Sequence, residues 1–240
     1  MVQYAEKGSK KMLQLLLTKP EYKNDLINEL KKRCLDTTDL VPLSPSIDKN
    51  GVFHEHQLNK TILRKLKIDP DALKKFWPTP QPNWDGILVN KNGKEDFDSV
   101  YLIEAKSHES EIGSKVRSKN RNNSKLIEES IQEYAKKPYG ISEKEKNDEW
   151  LRTHYQIANR LAFLHKLKKL LPKKTVKLIF LNFINDLTWG KQAVKTKEDW
   201  DKKYKKIFDD MGLDIENTKQ QGVIFINDID VSSYNDGHEK

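Results

Sequence analysis

A chain of 240 residues can bury a sizeable core, and one decorated domain is expected rather than two. Lysine and arginine exceed aspartate and glutamate by 44 to 36, a formal charge of +8. That excess favours an anionic partner, nucleic acid ahead of a membrane surface, with solubility as the alternative explanation. Cys34 is the single cysteine, which excludes an internal disulfide framework and any multi-cysteine metal site. No apolar run approaches membrane-spanning length, and the opening residues do not read as a signal peptide. The expectation is a cytoplasmic protein without a membrane partner.

In chain order, residues 4–34 predict two helices broken at Lys19-Pro20, an N-terminal helical hairpin in which no chemistry is evident. Residues 36–51 read as loop, with Pro42, Pro45 and a Lys49-Asn50-Gly51 turn. A helix is predicted over residues 53–66, with His54-Glu55-His56 in its first turn. Histidines two apart point to different sides of a helix, which argues against zinc, and Glu55 there has an ordinary role at the helix dipole. A proline-rich approach, residues 76–82, leads to Trp84-Asp85-Gly86 and the apolar run Ile87-Leu88-Val89. An Asn92-Gly93 turn signal separates this run from Val100-Tyr101-Leu102-Ile103, apolar without alternation, as in a strand covered on both faces. Residues 112–125 form a basic loop carrying Lys115, Arg117, Lys119, Arg121 and Lys125, either a solvated linker or an arm that contacts phosphates. Further helices are predicted at 124–137, 148–171 and 197–211, and strands at 175–183 and 223–226. The polar tail from 232 is expected to fray. This order implies an α/β three-layer domain with a mixed sheet.

The chemistry concentrates at Glu104-Ala105-Lys106. Alternation puts Glu104 and Lys106 on one side of a strand and Ala105 on the other. If the two apolar runs pair as a hairpin, Asp85 joins them. Two hard oxygen donors beside a lysine suit Mg²⁺, which takes few carboxylates and keeps its waters. Lys106 could neutralise a phosphate, orient water or, with a depressed pKa, act as a base. The competing explanation is a salt bridge at a strand end, with Asp85 serving a turn. In the helix at 148–171, Arg152, Gln156 and Arg160 form a polar stripe on an otherwise buried element. A lysine cluster follows at 166, 168, 169, 173, 174 and 177.

Asp85, then Glu104-Ala105-Lys106 at the end of an apolar strand, resembles the PD-(D/E)XK nuclease superfamily and, within it, a bacterial group with W-D-G, E-A-K and Q-x-A-N-R-L-A segments. Asn83-Trp84 stands where the family name implies a proline before the acid. The resemblance implies a restriction-endonuclease-like core over residues 51–230, with residues 1–50 an added helical extension and 231–240 a flexible tail. It implies a metal-dependent nuclease acting on DNA, with RNA and a homodimer left open. Asp85, Glu104 and the Ala105 carbonyl would hold Mg²⁺ or Mn²⁺, and Lys106 would orient water. Glu55 would supply a further carboxylate from the first core helix, and Gln156 and Arg160 would support the site or touch phosphate. The alternative is a nucleic-acid-binding protein on the same scaffold without the metal chemistry.

Overall fold

The computed structural model describes residues 2–33, 35–93, 96–112, 120–142 and 144–234. Helices α1 (Gly8–Thr18) and α2 (Pro20–Lys32) meet at Lys19, with Pro20 at the first helical position of α2, where its missing N–H costs nothing. Strand β1 (Leu40–Ser44) follows, then a two-stranded ribbon of β2 (Ser46–Ile47) and β3 (Phe53–His54), and the short helix α3 (Lys60–Lys65). Next come the antiparallel hairpin of β4 (Gly86–Lys91) and β5 (Phe97–Lys106), helices α4 (Arg121–Ile131) and α5 (Tyr155–Leu170), and β6 (Thr175–Ile184). Helices α6 (Lys197–Met211) and α7 (Ile215–Gln220) precede the last strand, β7 (Val223–Asp230).

The central sheet is mixed, in the order β1-β4-β5-β6-β7. β1, β4 and β5 are antiparallel, while β5, β6 and β7 are parallel. The parallel pairs need crossovers, which α4–α5 and α6–α7 provide. Two cores result, one on each face. Val100, Leu102, Val176, Leu178 and Phe180 pack with α5 and α6, whereas Tyr101, Ile103, Ile179 and Leu181 pack under α1 and α2. The chain is therefore an α/β protein with helices on both faces of a five-stranded sheet. No helix among the described residues is long and apolar enough to cross a membrane.

Several boundaries differ from the sequence expectation. The helix expected over 53–66 starts only at Lys60, because the Asn59 side chain accepts from Thr61 and Ile62 N–H and fixes the start there. Phe53 and His54 pair with Ile47 and Ser46 instead, so Glu55 lies on extended chain rather than in a helical first turn. The supposed loop at 36–51 contains β1, where Pro42 is tolerated because the strand is an edge with a register shift beside it. The helix expected at 148–171 breaks at His154 (φ −118°, ψ 31°), preceded by a wide π turn at Glu149–Thr153. The helix expected at 124–137 starts earlier, at Arg121, behind an Asn120 cap, and the last strand runs four residues past Ile226. Sequence periodicity did not reveal α7 at all.

Candidate functional site

Strand alternation sets the site. Val100 and Leu102 face α5, so Glu104 and Lys106 continue that face, and Asp85, two residues before Ile87, lies on it too. β4 ends at Gly86, opposite Ile103, and β5 runs on past it. The Ala105 N–H, left without a ladder partner from β4, donates to Asp85 Oδ2 at 2.8 Å. The N–H and C=O of one residue share an edge in an antiparallel ladder, so the Ala105 carbonyl turns toward the edge where Asp85 sits. Along its other edge β5 keeps register with β6 as far as Lys106 opposite Asn182.

Glu104 is 2% exposed, Lys106 6% and Arg160 4%. Glu104 Oε1 accepts from Lys106 Nζ and, at 2.7 Å, from Gln156 Nε2; Oε2 accepts from Arg160 Nε at 2.6 Å. Gln156 and Arg160 are four apart on α5 and so share a helix face. Arg160 is itself over-determined. It donates to the Asn83 carbonyl at 2.8 Å and to Asn159 Oδ1 at 3.1 Å, and its guanidinium lies 4.4 Å over the Trp84 ring. This stacked, multiply bonded geometry suits arginine and not lysine.

The electrostatics separate the two acids. Burial alone would raise the Glu104 pKa, but the charges of Arg160 and Lys106 outweigh it and hold the group below the ordinary range. Burial alone would lower Lys106, but Glu104 and Asp85 outweigh it and hold the ammonium above its ordinary value. Asp85 goes the other way: lost hydration first, and the Glu104 charge second, push it up to about 7. Neighbouring carboxyls driven apart in this way are a recurrent arrangement at sites of acid–base or metal chemistry. Near neutral pH, Glu104 and Lys106 are charged and Asp85 is poised between its two forms.

The remaining expected residues are placed as follows. The His56–Trp84 bridge brings the backbone at Glu55 beside that of Asp85, but the Glu55 carboxylate pairs with Lys10 of α1 at 3.2 Å. Arg152 is separated from Gln156 and Arg160 by the break at His154; it pairs with Asp148 at 3.4 Å on the surface. His54 and His56 contact Asp48 and Ser46 respectively rather than a common point. Arg121 begins α4, while Lys115, Arg117 and Lys119 lie outside the described residues. The lysines at 166–177 occupy the end of α5 and the start of β6. Phe180 is the β6 residue opposite Glu104, so Thr175 lies about 16 Å down the strand from the acids.

Two features were not anticipated from sequence. Asn83 and Trp84 anchor Arg160 from across the chain, yet nothing in their spacing connects them to it. A second cluster joins Glu149, His154 and Asp210, with ligand-type atoms within 4.8 Å of one another. His154 Nε2 lies 3.3 Å from Asp210 and 3.6 Å from Glu149, and Lys206 also pairs with Asp210. No family model, curated protein or solved structure matches the chain.

Proposed function

We propose that the chain is a divalent-metal-dependent phosphodiesterase acting on nucleic acid, DNA in the first instance, built on a restriction-endonuclease-like core. The observation that carries this reading is the convergence of Asp85, Glu104 and Lys106 on one sheet face where β4 stops and β5 continues. The donor set fits a hard cation. Asp85 offers Oδ1, which takes no hydrogen bond among the described residues, Glu104 supplies a second carboxylate, and the Ala105 carbonyl turns toward the same edge. When bound, Mg²⁺ or Mn²⁺ would acidify a water and neutralise charge on the phosphorane-like transition state. Lys106, kept as an ammonium by two carboxylates, serves as a fixed positive charge toward phosphate and water, not as a base. Gln156 on Oε1 and Arg160 on Oε2 fix the plane of the Glu104 carboxylate.

One observation favours a second reading, a nucleic-acid-binding protein without catalysis. Both Glu104 oxygens are already filled by Lys106, Gln156 and Arg160, so the cluster is satisfied without an ion. Incubation of plasmid, single-stranded DNA and RNA with Mg²⁺ or Mn²⁺ separates the two readings, with Asp85→Asn and Lys106→Met as controls. Cleavage by the wild type that drops about 10²-fold or more in both variants supports the enzyme, on the scale of losing one electrostatic contact to a transition state. Metal-independent binding with no cleavage of any substrate leaves the binder.

A further inference from the structure

Beside the acids the surface falls into a cleft of about 260 Å³ between the proline-rich approach and the first turn of α5. One wall is aromatic: Trp77 and Tyr155 lie within 24° of parallel with centroids 6.4 Å apart. Tyr155, like any tyrosine, is neutral near pH 7, and burial raises it further to about 12, so this wall does not repel an anionic strand. The polar lining is made of carboxamides, namely Gln81, Asn83, Gln156 and Asn159, with Arg160 as the one charged group among the described residues. Each carboxamide offers both donor and acceptor, which matches the edge of a heterocycle better than a phosphate or a lipid. Gln81 lines the cleft, and its Oε1 is buried without a hydrogen-bond partner among the described residues, a cost that a donor on a bound ring could relieve. The volume lies just below the range of pockets for drug-sized ligands, room for one ring system and not for a duplex. Gln156 and Arg160, which line the cleft, are the same side chains that hold Glu104.

We infer that this cleft is a nucleobase subsite, taking one unpaired base beside the phosphate presented to Lys106 and stacking it on Tyr155. The inference rests on the phosphodiesterase reading and narrows its substrate to strands that offer an unstacked nucleotide. Bases inside a duplex have no exposed ring face, whereas single strands or flipped-out nucleotides do.

Calorimetric titration without metal, using thymidine monophosphate against deoxyribose phosphate, tests the cleft independently of cleavage. The base should tighten binding by about 5- to 150-fold, the range of a single base–aromatic stack. Tyr155→Ala should remove that margin and Tyr155→Phe should retain it. Gln81→Leu, which leaves the aromatic wall intact, should reduce the difference in affinity between thymidine and deoxyadenosine monophosphates while keeping the stacking margin. Equal affinity for the two probes, no detectable binding of either, or an unchanged margin in a Tyr155→Ala protein with native circular dichroism would overturn the subsite. Base-selective binding without cleavage of any nucleic acid keeps the subsite and removes the enzyme. Cleavage with no difference between unpaired and duplex substrates removes the subsite and keeps the enzyme.

Discussion

Asp85→Asn should stabilise the protein at alkaline pH and leave it unchanged in acid. The folded environment moves this carboxyl from its ordinary 3.8 to about 7, chiefly by removing water and secondly through the Glu104 charge. Between those values the native state binds a proton that the unfolded chain releases, so wild-type stability falls as pH rises through that window. The full displacement corresponds to about 4 kcal/mol. Asp85 is only half-buried, and water reaching it screens part of this, so about 2 kcal/mol is the expected gain above pH 7. Asparagine keeps an oxygen to accept from the Ala105 N–H, so the substitution removes charge with little change of shape. Urea unfolding of both proteins at about pH 4 and about pH 8 reads the effect, and melting should differ by about 4–8 °C at the higher pH. A difference of the same size at both values, or a less stable variant at the alkaline one, would show that Asp85 is not strained by burial and by its acidic neighbour.

Glu104→Ala should cost about 3–5 kcal/mol, seen as a lower urea midpoint, because it strands Lys106 and Arg160 as buried charges. Glu104→Gln, which keeps acceptor and volume, should cost clearly less. Mn²⁺ affinity should climb with pH up to about 7 and then level, since coordination needs Asp85 deprotonated. Calorimetry in buffers of different ionisation heat should detect the released proton, and a flat profile across that range counts against Asp85 as a ligand. Gly86→Ala should destabilise by about 1–3 kcal/mol in the same unfolding assay, because its Cβ would come within 3.0 Å of Ile103 Cβ across the hairpin.

How much of this was legible depends on what each signal encodes. The run Val100–Ile103 has no alternation because both faces of β5 are buried, and that reads directly as an interior strand. The Asn92-Gly93 signal likewise matches the β4–β5 hairpin, and the sharp boundaries of α6 follow from its Thr196 capping box. Where the expectation failed, a single local contact outweighed the periodic pattern. Asn59 delays a helix whose apolar stripe would have begun earlier, and His154, drawn toward Asp210 and Glu149, interrupts another. Pro42 disguises an edge strand as loop, since sequence does not reveal which strand has a free side. The expected N-terminal helices did form, but their role as the cover for Tyr101, Ile103 and Leu181 depends on three-dimensional contacts that no local pattern carries.

The same division runs through the site. Period-two alternation was enough to put Glu104 and Lys106 on one face, and the hairpin was enough to add Asp85. What sequence could not supply was the charge balance, which decides what these groups can do. Lysine beside two acids could have been a base with a depressed pKa, yet Glu104 and Asp85 hold it protonated, which leaves it an electrostatic role. Two acids could have been equivalent, yet Arg160 and Lys106 neutralise Glu104 and leave Asp85 as the group whose ionisation is resisted, the one a metal would have to secure on the proposed reading. The basic lysines at 166–177 sit at the opposite end of β6 from the acids, where Lys174 is held by Asp96 at 3.0 Å. On the phosphodiesterase reading, a strand reaching the acids would be received by uncharged rings and carboxamides with a single guanidinium among the described lining residues. If the cleft takes a base as inferred above, recognition there would depend on the shape and edge of that base more than on counterion release.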